Sequence, residues 1–441
     1  MEKVVIVGAG PAGLFAADEL ISDAYNVTVI DKRRKVGGSG LQIDGKFNFH
    51  SKIGFWERGL TEFLPEKEAN ETLNHIDDTF REYAQPDEYS DPEKMEKIKI
   101  KASQAGIEFI PIKQTHIGSD RLPESIEKFM KNLENRGVKF QLATEAKDLK
   151  LKDNRISEII TDRGNFKSDY VLLAPGRPGH SWLKEQCDKL GLNVYFNPLD
   201  VGLRVEVLND VFKDIVENYK IHDPKFHINT TTNDDFVRTF CVCFGGYVTS
   251  EKYTTPYGIL YGVNGHSHSR FGRQSDNTNF ALLTRIHLTE PVVDTTLYGY
   301  GIAFLSTTIG EKKPLIQRVG DLKDNRRSTW SRIYRSNVKP TLNEDDATPG
   351  DIRMVLPYKI VQDMTEGLEM LEKVIPGVYT KHTLLYGPEI KHYSRKVETN
   401  GLLQSKIPNL YFAGDGAGVS RGIVAAAATG IVAAKGIKTS V

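Results

Sequence analysis

The sequence predicts an α/β protein: a doubly wound parallel sheet with an inserted β-meander, and a second, mostly antiparallel α+β domain. Three observations predict it. Four β-formers, Val4-Val-Ile-Val7, run into Gly8-Ala-Gly10-Pro-Ala-Gly13 and then into a helical segment over 14–21. A second β-rich run over 27–30 ends at Asp31. From 192 to 300 the chain alternates β-formers with turn residues, as a half-buried antiparallel sheet does.

G-x-G-x-x-G between a strand and a helix is the context that a Rossmann-like dinucleotide site requires. Gly8 permits the tight turn, and Gly10 lets the backbone approach a pyrophosphate. Gly13 allows close helix-to-strand packing, so that the helix N-terminus faces the phosphates. Asp31 stands where a ribose 2′-OH would be held, and an acid there argues against a 2′-phosphate. The binding residues expected from this segment are Gly8, Gly10, Pro11, Ala12, Gly13, Asp31 and the adjoining Lys32.

At 441 residues the chain is long enough for two or three domains. Lys plus Arg and Asp plus Glu each number 58, a formal net charge of zero. That argues against a nucleic-acid partner, which calls for a basic stripe to neutralise phosphates. Lys32-Arg-Arg-Lys35 and Arg326-Arg327 read as solvated surface. The most apolar tract, 423–434, is shorter than the ~20 residues of a membrane span and is broken by Gly430, so it reads as a buried helix. No charged leader or signal stretch precedes the first strand, and a cytoplasmic protein without a membrane span is expected.

Three cysteines are too few for a disulfide framework or a cysteine-ligated iron–sulfur centre. Cys241 and Cys243 form C-x-C in an apolar, aromatic run, which if extended sends both thiols to one face of a strand. Buried packing, a thiol facing cofactor or substrate, and a metal site are the three readings. No further ligands accompany the pair in sequence, and no metal is expected.

Along the chain, Val36-Gly-Gly-Ser-Gly40 is a flexible pause suited to backbone running beside a cofactor, which adds Gly38, Ser39 and Gly40 to the binding set. Asn48, His50 and Ser51 either line a flat aromatic ligand or cap a loop. Helical patterns follow over 57–82 and 93–104, and an amphipathic helix over 123–135. Runs over 138–144, 156–161 and 166–173 read as three strands of a meander that returns to the core at Ala174-Pro-Gly176. A short helix is expected over 183–189. In the second domain, strands are expected over 202–207, 237–244, 258–263 and 280–288, with a donor-dense loop carrying His266, His268 and Arg270. These last are candidates for an anionic substrate. A helix over 360–372 is stopped by Pro376 and Gly377.

The second chemical landmark is Leu410-Tyr-Phe-Ala-Gly414-Asp415-Gly416-Ala-Gly418, with an alanine-rich helix after Gly422. A strand delivers Asp415 between glycines, bringing an acid and backbone N–H groups toward the middle of a dinucleotide laid out from Gly8. A phosphate cradle and a strand–acid–glycine element separated by nearly the whole chain suit FAD, whose two ends lie under different segments. The expected division is an FAD-binding domain in three parts (1–50, 121–190 and 376–441), a helical or loop insertion over 51–120, and a substrate or cap domain over 191–375.

On these two landmarks the chain resembles the glutathione-reductase-like superfamily of FAD proteins. More narrowly it resembles the uncharacterised FAD-dependent dehydrogenases, on Gly37-Gly-Ser-Gly with Asp44-Gly-Lys, His116-Ile-Gly-Ser-Asp, Ala174-Pro-Gly, Thr239-Phe-Cys-Val-Cys-Phe-Gly-Gly and Gly414-Asp-Gly-Ala-Gly. It departs from that pattern at Phe244, where many relatives carry proline, and at Arg421, where many carry glycine. The resemblance implies that Asp31 holds the adenosine ribose, that Gly8, Gly10 and Gly13 receive the pyrophosphate, and that Asp415 bonds near the ribityl and pyrophosphate groups. Ala174, Gly176 and Gly414 complete the cradle. Gly422 and Ile423 would lie beside the flavin N1–C2=O edge, where a helix dipole stabilises the anionic reduced ring.

The expected function is an FAD-dependent dehydrogenase or reductase acting by two-electron or hydride transfer through flavin N5 on a small-molecule substrate. His116, which can titrate near neutrality, Cys243 and Arg421 are the catalytic candidates. No second G-x-G-x-x-G unit follows residue 13. Electrons therefore come from NAD(P)H bound transiently, from the substrate, or from an electron-transfer partner protein. A flavin monooxygenase, a lipid-saturating reductase and a non-catalytic FAD scaffold are the alternatives. The sequence carries no signal of oligomeric state.

Overall fold

Val4, Val5, Ile6 and Val7 are buried apolar residues in the strand Glu2–Val7, the middle of a five-stranded parallel sheet. Its order is Leu410–Phe412, Tyr170–Leu173, Glu2–Val7, Tyr25–Ile30, Lys139–Gln141. Both faces of such a sheet are covered, which is why Tyr170–Leu173 reads as an unbroken apolar run. The computed structural model describes residues 1–38, 45–55, 58–268 and 272–440. They divide into one unit of Met1–Asp87, Ser119–Asn197 and Tyr393–Val441, and another of Glu88–Gly118 and Pro198–His392.

In the first unit the helix after the glycine turn is Pro11–Glu19, starting three residues before the expected 14. Proline suits a first helical position, because its missing N–H would have had no intrahelical acceptor. The tract 423–434 is indeed a buried helix, Ile423–Lys438. Gly430 is what lets it approach the first helix, since a Cβ there would sit 2.0 Å from the Ala12 carbonyl oxygen. No helix among the described residues is long and apolar enough to cross a membrane. Phe15 joins the helices Glu66–Tyr83 and Leu122–Asn135 to this layer, its ring centroid 5.6 Å from Phe80 and 5.0 Å from Phe129.

The meander exists but is composed differently from the expectation. The run 138–144 supplies Lys139–Gln141, which pairs with Tyr25–Ile30 in the parallel sheet. The three antiparallel strands are Ala146–Lys152, Arg155–Thr161 and Gly164–Lys167. Ala146–Lys152 went unrecognised because four of its seven residues are charged and only Leu149 is buried. The run 166–173 is split by Ser168 and Asp169, so that its first half ends the meander and Tyr170–Leu173 enters the core sheet. A short helix, His180–Lys189, follows.

The second unit is built on an eight-stranded sheet. Its order is Thr348–Pro349, Leu315–Arg318, Leu384–Lys391, Leu199–Leu208, Asn277–Ile286, Phe236–Cys243, Lys225–Asn229, Glu108–Ile110. All neighbours are antiparallel except the first two. The helix Tyr358–Val374 lies on it, with Gly367 close to Leu282 and Val237. Two expected boundaries move. Leu384–Lys391 belongs here, because it pairs with Leu199–Leu208 and Leu315–Arg318, so the unit ends at His392 and not at 375. Glu88–Gly118 also belongs here, through the pairing of Glu108–Ile110 with Lys225–Asn229, and only part of 51–120 stays with the first unit.

Candidate functional site

The three glycines of the first turn divide by what surrounds them. Gly8 has φ +115° and a Cβ on it would fall 2.1 Å from the Ala174 carbonyl oxygen. A Cβ on Gly13 would fall 1.9 Å from the Gly8 carbonyl oxygen. These two are required by the protein's own packing. Gly10 is different: its φ of −84° suits any residue, and a Cβ there would meet nothing within 4 Å among the described residues. Its bare backbone faces open space at the start of the helix, where the first N–H groups have no intrahelical acceptor.

Asp31 ends the strand Tyr25–Ile30 and accepts hydrogen bonds from the Ala9 and Arg33 N–H groups, each 2.8 Å. The carboxylate thus clamps the glycine turn, and each oxygen keeps a further lone pair for a ligand hydroxyl. Gly37 donates its N–H to the Ala9 carbonyl at 2.7 Å, and Arg33 Nη1 donates to the Gly38 carbonyl at 2.6 Å. A Cβ on Gly38 would lie 3.5 Å from the Gly10 Cα, so this loop runs beside the open face. Pro11 is half-buried, Ala12 buried and Lys32 exposed. Ser39, Gly40, Asp44 and Arg270 lie outside the described residues.

The second landmark comes to the same sheet. Ala174 donates to the Val7 carbonyl at 2.8 Å, and Gly176 takes φ +65°. A Cβ on Gly416 would meet the Gly176 carbonyl oxygen at 2.4 Å, and one on Gly414 would meet Ala12 Cβ at 3.1 Å. Asp415 accepts from Ser420 Oγ at 2.9 Å and from the Gly422 N–H at 3.2 Å. Desolvation pushes its carboxyl above the ordinary carboxylate range, against the opposing pull of Arg177, these hydrogen bonds and Arg421. Gly422, at φ +90°, resembles Gly10: a Cβ there would meet nothing within 4 Å. It precedes Ile423 at the N-terminus of the last helix.

Arg421 is held by its backbone, whose N–H donates to the Gly54 carbonyl at 2.7 Å, and its guanidinium lies 4.1 Å from the Tyr393 ring centroid. Gly54, Tyr393 and His180 were not anticipated. Gly54 is fixed by φ +84° and by a Cβ position 2.3 Å from the Arg421 carbonyl oxygen. His180 donates from Nδ1 to the Gly416 carbonyl at 3.2 Å, and burial lowers its pKa and favours the neutral ring. None of the three stands in a spaced motif; the only sequence signal was the nearby landmark glycines. His50 has its Nδ1 engaged by the Lys52 N–H at 3.1 Å, the loop-capping alternative, and burial lowers its pKa. Asn48 keeps a buried Oδ1 without a protein partner.

The remaining candidates belong to the second unit. His116 is buried at the end of the strand Lys113–His116, its ring centroid 6.2 Å from that of His222. Cys243 is fully buried and Cys241 half-buried, with their Sγ atoms 3.8 Å apart. His266 and His268 have ring centroids 5.7 Å apart, and no cluster of three metal-ligating side chains occurs among the described residues.

Within the first unit, then, Gly10 and Gly422 stand open among the described residues, each beside a carboxylate, while Gly8, Gly13, Gly414 and Gly416 are closed by the protein itself. That distribution fits a long ligand that meets the chain at two places and needs bare backbone at both. Residues 198–392 match the family described as FAD-dependent protein, C-terminal domain-like, and residues 6–49 match the NAD(P)-binding Rossmann-like domain. An uncharacterised protein of Clostridium beijerinckii is 24% identical over 464 residues, covering 99% of this chain and 80% of that one. The L-amino-acid oxidase of Crotalus adamanteus is 27% identical over 249 residues, 53% of this chain and 46% of the oxidase. Among solved structures, L-proline dehydrogenase from P. horikoshii is similar at 13% identity and a TM-score of 0.43, covering 99% of this chain and 93% of that one.

Proposed function

We propose that this chain is an FAD-dependent oxidoreductase of the glutathione-reductase-like kind, which holds FAD between Gly10 and Gly422 and uses it to oxidise or reduce a small substrate. The observation that carries the reading is the pair of open glycine faces, each beside a carboxylate that is anchored by backbone N–H groups. Bound FAD supplies two-electron chemistry through N5 of its ring. The chain supplies position and charge. The N–H groups at the start of Pro11–Glu19 receive the pyrophosphate, with Lys32 at its margin. Asp31 accepts from the ribose hydroxyl with the lone pairs left after binding Ala9 and Arg33.

Asp415 orients the Gly422 peptide, so that the N-terminus of the 16-residue helix Ile423–Lys438 presents its unpaired N–H groups to developing negative charge. Arg421, stacked on Tyr393 and tied to Gly54, is placed to contact flavin or an anionic substrate. His116 is the proposed proton-transfer group and Cys243 the proposed thiol contact in the second unit. The working compartment in this reading is the cytoplasm, which suits a chain whose cysteines are all thiols.

The test is an anaerobic absorbance scan of the purified holoprotein, titrated in turn with NADH and NADPH. Bleaching of the flavin band by either establishes a nicotinamide-linked reductase. An oxidised band that neither donor bleaches shifts the electron source to the substrate or a protein partner. A chain that never acquires a flavin band, even when refolded with FAD, refutes the reading.

A further inference from the structure

The C-x-C pair is not arranged as two residues of a regular strand. In an extended strand, residues two apart are separated by about 6.6 Å along the chain. Here the Cys241 and Cys243 sulfurs are 3.8 Å apart. The cause is a bulge: Phe240 stands opposite Ala281 and Cys243 opposite Asn279, so three steps along Phe236–Cys243 match two along Asn277–Ile286. Cys241 takes the irregularity, with φ +50°, a left-handed conformation uncommon for any residue with a side chain. The bulge turns two thiols that a flat strand would hold apart into neighbours.

Ion pairs surround them. Arg204 Nη1 donates to the Cys241 carbonyl at 2.9 Å, and Lys225, Arg238 and Lys391 lie 5.0 to 5.7 Å from the ring centroid of the adjoining Phe240. Each of these cations is paired with an acid: Lys225 with Asp223, which also accepts from the Val242 N–H, Arg204 and Lys391 with Glu389, and Arg238 with Asp200. The two thiols also differ in access, Cys241 being half-buried and Cys243 fully buried.

We infer that Cys241 and Cys243 are a reversible dithiol–disulfide pair that exchanges with low-molecular-weight disulfides. The Cys241 thiolate attacks one sulfur of the small disulfide, and the displaced thiolate leaves and takes up a proton. Cys243, 3.8 Å away, then loses its proton and attacks Cys241 Sγ, forming the intramolecular bond and expelling the second small thiol. The protein gives up two electrons and two protons, and the small disulfide becomes two thiols. The exchange needs no flavin and does not rest on the proposed FAD chemistry, although Cys243 is also the proposed thiol contact there.

Glutathione disulfide is the probe, applied to the full-length protein without air, followed by alkylation under denaturing conditions and tryptic mass analysis. Cleavage after Arg238 and Lys252 places both cysteines in one peptide. The expected product is that peptide, unalkylated and two hydrogens lighter, with Cys187 fully alkylated. Cys187 is the internal control, because burial pushes its thiol up to about 12. Oxidation at Cys241 should exceed reaction at Cys187 by roughly ten-fold or more. Cys243→Ser should stop at a stable glutathione adduct on Cys241, and Cys241→Ser should leave Cys243 reduced. A wild-type protein that stops at the mixed disulfide, or one whose two thiols are both recovered alkylated, overturns the inference. The readout is a mass and is the same whether or not FAD is reduced by any donor.

Discussion

Replacing Gly10 and Gly13 by alanine separates binding from folding within one motif. At Gly10 the backbone is extended (φ −84°, ψ −177°) and the new methyl meets nothing within 4 Å among the described residues, so these have no reason to move. Alanine is about 1 kcal/mol worse than glycine at a helix N-cap, and the loss of unfolded-state freedom returns up to about 1 kcal/mol. The apoprotein should therefore melt within about 2 °C of wild type. In the holoprotein the methyl occupies the face that the pyrophosphate approaches. Forcing one methyl group into a filled contact costs about 1–3 kcal/mol, which weakens FAD binding roughly 5- to 150-fold. At Gly13 the order reverses, since its Cβ would lie 1.9 Å from the Gly8 carbonyl oxygen and the backbone must shift at a cost of about 3 kcal/mol or more. FAD affinity by quenching of flavin fluorescence and apoprotein melting by circular dichroism resolve the two effects. Unchanged FAD affinity in Gly10→Ala refutes the placement of the pyrophosphate. An apoprotein of that variant destabilised as much as Gly13→Ala refutes the distinction between open and closed glycines.

Asp415→Ala removes the acceptor of the Gly422 N–H and the Ser420 hydroxyl and should weaken FAD at least roughly 10-fold, the value of a charged hydrogen bond; equal retention through dialysis would assign the carboxylate elsewhere. Arg204→Met takes from the fully buried Glu389 one of its two cations, leaving Lys391 at 2.7 Å, and should cost about 1.5–3 kcal/mol in urea denaturation, the value of a hydrogen bond to a charged group. A loss below about 1 kcal/mol would mean that water reaches the pair. His75 bonds Asp18 at 2.9 Å, which raises its pKa above 6.5. Its contribution is then complete below pH 6.5 and lost as pH rises through the raised folded value. The half-exposed ring limits the effect to about 1 kcal/mol. The stability gap between wild type and His75→Gln should shrink from pH 6 to pH 9, and a gap constant with pH would show that the ring acts by packing alone.

What was legible in the chain was local, and what was not depended on a partner distant in sequence. The glycine turn, the two acids and the last helix each declare themselves within twenty residues, because turn geometry, strand ends and helix caps are set by neighbouring residues. Leu384–Lys391 was missed although all its residues are buried, since its run Leu-Leu-Tyr-Gly-Pro-Glu-Ile-Lys contains a glycine, a proline and two charges. Those charges are tolerated because Arg204, some 180 residues earlier, pairs with Glu389 across the sheet, and no pattern along one strand reveals that. The expected edge of the cap domain at 375 followed from this omission.

The C-x-C motif shows the same limit from the chemical side. Read as a regular strand it gives two thiols on one face, too far apart to react with each other. Only the register against Asn277–Ile286 reveals the extra residue that brings their sulfurs together. The glycines obey the same logic. G-x-G-x-x-G and Gly-Asp-Gly-Ala-Gly identify which residues lack a side chain, but not whether the missing Cβ makes room for the protein or for a ligand. Gly8, Gly13, Gly416 and Gly430 admit another stretch of backbone, whereas Gly10 and Gly422 have no neighbour among the described residues within 4 Å of a Cβ position. In the proposed reading, that remainder beside the two carboxylates is where FAD meets the fold.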